Sequence, residues 1–140
     1  MRVMVIVKAD RDSETGKLPD EKILKDMGNF NEELVKAGVM LAGEGLKSSK
    51  HGKRVRFEGK KRTVVDGPFA ETKELIAGFW LWQVKSFDEA VEWLKRAPFD
   101  GGTEVEIRQV FETEDFASVD PSGEVRRQEE ELKKKMAARK

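Results

Sequence analysis

Apolar residues fall along this chain in two distinct periods. Residues 3 to 7 form a short β-branched run, closed by Lys8 and a polar stretch to Pro19, which is the pattern of a strand buried on both faces. After it, Asp20 can cap a helix. In that helix Ile23, Leu24, Met27, Phe30, Leu34 and Val35 recur at three- and four-residue spacing, and Gly38 supplies a left-handed stop. Residues 39 to 46 read as a second strand, where Gly43 and Gly45 mark a bulge or a close approach to the backbone. A polar loop then leads to the alternating runs Val55-Arg56-Phe57 and Thr63-Val64-Val65, joined through Glu58-Gly59-Lys60, which predicts a hairpin.

Residues 78 to 85 make the most apolar strand, with Phe79, Trp80, Leu81, Trp82 and Val84 placing hydrophobic groups on both faces. Ser86-Phe87-Asp88-Glu89 forms a capping box, and Phe87, Ala90, Val91 and Leu94 continue it as a helical stripe ending near Pro98. Residues 103 to 111 alternate Val105 and Ile107 with Glu104, Glu106 and Arg108, the signature of a last strand. The order is β-α-β, hairpin, β-α-β. It predicts an α+β, ferredoxin-like domain: a four-stranded antiparallel sheet with both helices on one side and the hairpin as an insertion. Helices then cover one face only. The other face is apolar on the Trp/Phe strand, and pairing with a second copy is the simplest cover, so a homodimer is expected.

Beyond residue 112 the pattern changes. Asp120-Pro121 can cap a further helix, in which Glu129/Lys133, Glu130/Lys134 and Glu131/Lys135 are spaced for ion pairs and only Val125, Leu132 and Met136 are apolar. The expected organisation is a domain over 1–112 and a helical extension over 113–140, either frayed or lying across a neighbouring subunit.

Composition narrows the chemistry. With 27 basic and 27 acidic residues the net charge is zero, so no overall field draws the chain to nucleic acid or an anionic membrane. The absence of cysteine excludes disulfides, thiolate ligands and a cysteine nucleophile. One histidine, His51, cannot make a metal site, and neither metal nor cofactor is expected. The amino-terminal run is too short for a secretion signal or a membrane span, which makes a cytoplasmic protein the expectation. Residues 47 to 62 are locally basic, but with Phe57 as their one aromatic residue and no binding motif they read as a charged hairpin edge, not a nucleic-acid surface.

The segment Asp66-Gly67-Pro68-Phe69-Ala70-Glu71-Thr72-Lys73-Glu74 concentrates turn formers, a phenyl ring and ionisable groups. Together with Gly43-Glu44-Gly45-Leu46 and Glu106-Ile107-Arg108 it resembles the DGPF-domain branch of the YciI-like proteins, over about residues 1 to 111. The resemblance implies a dimeric α+β barrel. It also implies a context, since DGPF members are often linked with extracytoplasmic-function sigma factors. Some YciI-like relatives are thought to act on aromatic or chlorinated rings through a His-Asp pair whose histidine lies in the first helix. Met27 stands at that place here, so the pair does not carry over.

The functional expectation is a protein that binds a small organic molecule, an aromatic one among the candidates, and the enzymatic version is a cofactor-free acid/base reaction. Asp66 is the candidate base, if Phe69 and the tryptophans enclose its carboxylate; an Asp before Gly-Pro is equally a turn residue that caps backbone amides. Glu44, between two glycines, has room to meet a ligand. Lys73 and Arg108 can bind an anionic oxygen, although nearby acids pair with them as well. Phe69 can wall a pocket or sit in the core, and Trp80 can stack a flat ligand or pack across the dimer interface. His51 reads as a bystander in its polar loop. The alternative function is a non-catalytic accessory or signalling protein.

Overall fold

The computed structural model describes residues 1–139. They divide into two compact units, one of residues Met1–Gln109 and one beginning at Val110.

In the first unit the elements follow the order β1 (Arg2–Lys8), α1 (Arg11–Glu14), α2 (Glu21–Lys36), β2 (Met40–Gly45), β3 (Lys53–Glu58), β4 (Lys61–Asp66), β5 (Ile76–Gln83), α3 (Phe87–Lys95) and β6 (Val105–Gln109). Four strands form one sheet in the order β2-β5-β1-β6, with every neighbouring pair antiparallel. This is the ferredoxin-like α+β arrangement. β3 and β4 pair only with each other, in an inserted hairpin turned by Gly59 at φ 57.

Strand alternation decides which side chains meet the helices. Val3 lies opposite Trp82 and Val5 opposite Trp80, and these four, with Phe30 and Leu34 of α2, Ala90 of α3, Val39 and Val84, form one buried cluster. Both helices therefore cover the same face. The rings make an aromatic centre: Phe30 meets Trp80 edge-on at 5.9 Å, and Trp80 lies 5.6 Å from Trp82. Met4, Ile6, Phe79 and Leu81 alternate with these positions and point to the opposite side of the sheet.

Several sequence expectations need correction. α2 buries Phe30 and Leu34 and half-buries Met27, whereas Ile23, Leu24 and Val35 are exposed, so the apolar stripe is narrower than its spacing implied. β2 and β6 are shorter than expected, and β5 begins and ends two residues earlier. The polar stretch after β1 contains the short helix α1, opened by a capping box in which Ser13 N–H donates to Asp10 and Asp10 N–H donates to the Ser13 hydroxyl. The close approach marked by Gly43 is the protein's own Trp80, since a Cβ at 43 would lie 2.7 Å from the indole Cδ1. A bulge sits beside it, between Met40 and Ala42.

In the second unit, 3₁₀ turns span Thr113–Val119, with the Phe111 and Phe116 rings 4.7 Å apart and tilted by 39°. Helix α4 spans Glu124–Ala137 and starts three residues after the expected Asp120-Pro121 cap. Asp120 still serves it, accepting from the N–H groups of Val125 and Arg126 at 3.1 and 3.0 Å. No helix among the described residues is long and apolar enough to cross a membrane.

Candidate functional site

Three segments that are distant in sequence converge beside the ends of β2 and β5. The first is α1, whose Glu14 carboxylate accepts from Ser49 N–H at 2.9 Å and from the Ser49 hydroxyl, while the Ser48 hydroxyl donates to the Glu14 carbonyl at 2.6 Å. The second is the 3₁₀ turn Ser49–His51. The third is the segment Gly67-Pro68-Phe69, where Gly67 N–H donates to the Gly52 carbonyl at 3.0 Å and Phe69 N–H donates to Ser49 Oγ at 3.0 Å. Position 67 has no room for a side chain: a Cβ there would fall 1.8 Å from the Ser49 carbonyl oxygen. Glycine is required by this contact, since its φ is not in the left-handed region.

A cleft of about 400 Å³ opens along this junction. Leu46, Leu75, Ile76 and Phe69 supply its apolar wall, and Glu14, Ser49, Lys47, His51 and Arg54 its polar one. The Arg54 guanidinium lies over the Phe69 ring at 3.8 Å from its centroid and stands 3.7 Å from Glu71. Hydrogen bonds from the Ser49 side chain and backbone hold the Glu14 carboxyl below its ordinary value. Both its oxygens are thereby engaged. The remaining charges on the wall are cationic, so the cleft is suited to an organic anion, with a flat apolar surface beside the positive groups.

Of the residues singled out by sequence, Phe69 alone lines this cleft. Asp66 ends β4 with its side chain 74% exposed, and Lys53 across the hairpin donates to its Oδ1. An ammonium and solvent surround that carboxylate, not the aromatic enclosure that would favour a base. Glu44 is exposed opposite Phe79 on β2, and Arg108 is exposed opposite Met4 on β6, 3.9 Å from Glu106. β2 and β6 are the two edges of the sheet, about 14 Å apart at the usual strand spacing, so these two residues do not share a site. Lys73 is exposed in the 3₁₀ turn Thr72–Glu74. Trp80 is 5% exposed, and its Nε1 donates to Asn31 Oδ1 at 2.9 Å, which makes it a core residue with a satisfied polar edge.

Sequence reasoning passed over Glu14, Ser49 and Arg54 and read His51 as a bystander. The signal for Glu14 was the Asp10-x-x-Ser13 cap, which turns a polar stretch into a short helix and fixes the direction of the next side chain. For the others no local signal exists, because the contact is made by a turn and a loop that meet only in the fold. Among the described residues, no group of three or more His, Asp or Glu side chains could hold a metal ion.

Three comparisons bear on kinship. The chain is 33% identical over 76 residues, 54% of its own length, to an uncharacterized protein of Rhizobium meliloti (strain 1021), and the match spans 61% of that relative. It is also similar to the solved structure of 5-chloro-2-hydroxyhydroquinone dehydrochlorinase from Burkholderia phenoliruptrix AC1100 in complex with 2,5-dihydroxybenzoquinone. That likeness has 18% identity and a TM-score of 0.43, and it covers 81% of this chain and 98% of the other. The model of the YCII-related domain matches residues 1–114, four-fifths of the chain. The protein belongs to the YCII-related domain family.

Proposed function

We propose that this protein binds a small organic anion with a planar apolar part in the cleft bounded by Leu46, Ser49, His51, Arg54 and Phe69. The observation that carries the reading is the composition of that wall. Cationic Lys47 and Arg54 stand beside apolar side chains, while the one carboxylate among the lining residues is already engaged by Ser49. A volume of about 400 Å³ lies within the range of small-molecule sites, roughly 300–1,000 Å³. For proton transfer the cleft offers the imidazole of His51, so a cofactor-free acid/base reaction is the enzymatic form of this proposal. Asp66 has no supporting geometry for that role.

The experiment is an NMR titration of the full chain with 4-hydroxybenzoate and, separately, cyclohexanecarboxylate. The expected result is saturable shifts at the amides of Ser49, Gly52 and Phe69, stronger for the aromatic acid and weakened at least tenfold in Arg54→Ala. Shifts elsewhere, or none, would overturn the proposal.

A further inference from the structure

Helix α4 carries a surface that the cleft does not use. Val125, Leu132 and Met136 are spaced by seven and four residues and so lie on one side of the helix. They are 57%, 51% and 63% exposed. A helix of this length owes most of its stability to packing of an apolar face, so an open stripe on 14 residues points to a partner.

The charges beside the stripe identify that partner. Glu129, Glu130 and Glu131 precede Leu132, and Lys133, Lys134 and Lys135 follow it, so the charge pattern inverts in sign about Leu132. In two antiparallel copies related by a two-fold axis at Leu132, each residue lies at the height of its mirror position in the other helix, and residues on the same flank of the seam face one another. Leu132 then meets Leu132, Glu129 faces Lys133 of the other copy on one flank, and Glu131 faces Lys135 on the other, while Glu130 and Lys134 stay on the far side. Met136 falls beside the methylenes of Gln128, and Val125 beside those of Arg139. A parallel pair would instead set glutamate against glutamate and lysine against lysine. We propose that α4 is a self-association element that pairs antiparallel with α4 of a second copy, centred on Leu132. Such an interface is isologous and closes on itself. The contacts within one helix, Glu129–Lys133 at 3.9 Å and Glu131–Lys134 at 4.0 Å, are long and solvated and leave the apolar stripe uncovered.

Because the chain has no cysteine, a single introduced one reports the geometry. Under mild oxidation of the full-length protein at micromolar concentration, Leu132→Cys should form a disulfide dimer at least tenfold faster than Lys134→Cys, which lies on the far side of the helix. Mixing Glu129→Cys with Lys133→Cys should give the mixed disulfide faster than either variant crosslinks alone. Adding Glu129→Lys, Glu130→Lys and Glu131→Lys to Leu132→Cys should slow crosslinking. Further adding Lys133→Glu, Lys134→Glu and Lys135→Glu should restore it, because the inverted pattern is self-complementary again. Far-UV circular dichroism checks that each variant keeps its helix. Equal rates for Leu132→Cys and Lys134→Cys, or like-with-like crosslinking of Glu129→Cys that outpaces the mixed pair, would overturn the proposal.

Discussion

The Ser49 carbonyl oxygen decides what position 67 can hold. A Cβ there would overlap it, so Gly67→Ala must push the Gly67-Pro68-Phe69 segment off the turn or displace the turn itself. The expected cost is about 1–3 kcal/mol, the usual range for forcing an extra methyl into a packed contact, read from chemical denaturation. Gly45→Ala is the control: a Cβ at 45 meets nothing within 4 Å, and stability should change by less than about 0.5 kcal/mol. Glu14 makes a second prediction, through pH. Its folded-state pKa is lowered from 4.5 by the two bonds from Ser49, so its contribution is complete above that value and disappears as pH falls through the lower folded one. Glu14→Gln should therefore be less stable than wild type at pH 6 to 7, and the gap should close as pH drops below about 4.5. A gap that stays constant from pH 7 to pH 3 would show that the carboxylate charge does not hold the Ser48–Ser49 turn.

Among elements, the strands and the two sheet-covering helices α2 and α3 were legible because their signals are local. The β-branched run at 3–7, the cap at Asp20 and the capping box at Ser86 each act within one or two turns of chain, and each element formed where those signals lie. Which face of β5 meets the helices was not legible, because Phe79 and Leu81 are as apolar as Trp80 and Trp82 and alternation alone assigns no inside. The structure puts the tryptophans there: the Phe30, Trp80 and Trp82 rings contact one another edge-on or tilted, and Asn31 accepts the Trp80 N–H. The cleft was the least readable part, since its contacts join positions about 35 residues apart, as Glu14 and Ser49 are. The hairpin supplies an element-scale prediction. Phe57 is 70% exposed with the Arg62 guanidinium 4.5 Å from its ring centroid. Phe57→Ser should cost no more than about 1 kcal/mol, the scale of an exposed cation–π contact, as measured by thermal melts. A larger loss would show that the hairpin face is covered in solution.

For the whole molecule the open question is what meets the sheet face away from α2 and α3. A homodimer is the reading proposed here, and the register of β5 says which substitution tests it. Trp82 is fully buried in the helix-facing core, so a charge at that position would report loss of fold and not loss of association. Losing that ring alone should cost about 3–5 kcal/mol. Leu81, its neighbour, points the other way and lies opposite Met4 on β1. Leu81→Lys places an ammonium among Met4, Ile6 and Phe79 on that face, where a paired sheet would have to desolvate it twice, once in each subunit. If two copies meet there, light scattering at micromolar concentration should show wild-type protein at twice the chain mass and Leu81→Lys shifted toward the monomer, with circular dichroism unchanged. Crosslinking through α4 provides a separate contact, so the comparison is best made with Leu132→Glu in the background of both proteins. A wild-type monomer, or a dimer indifferent to Leu81→Lys, would mean that the sheet face is not where the subunits join.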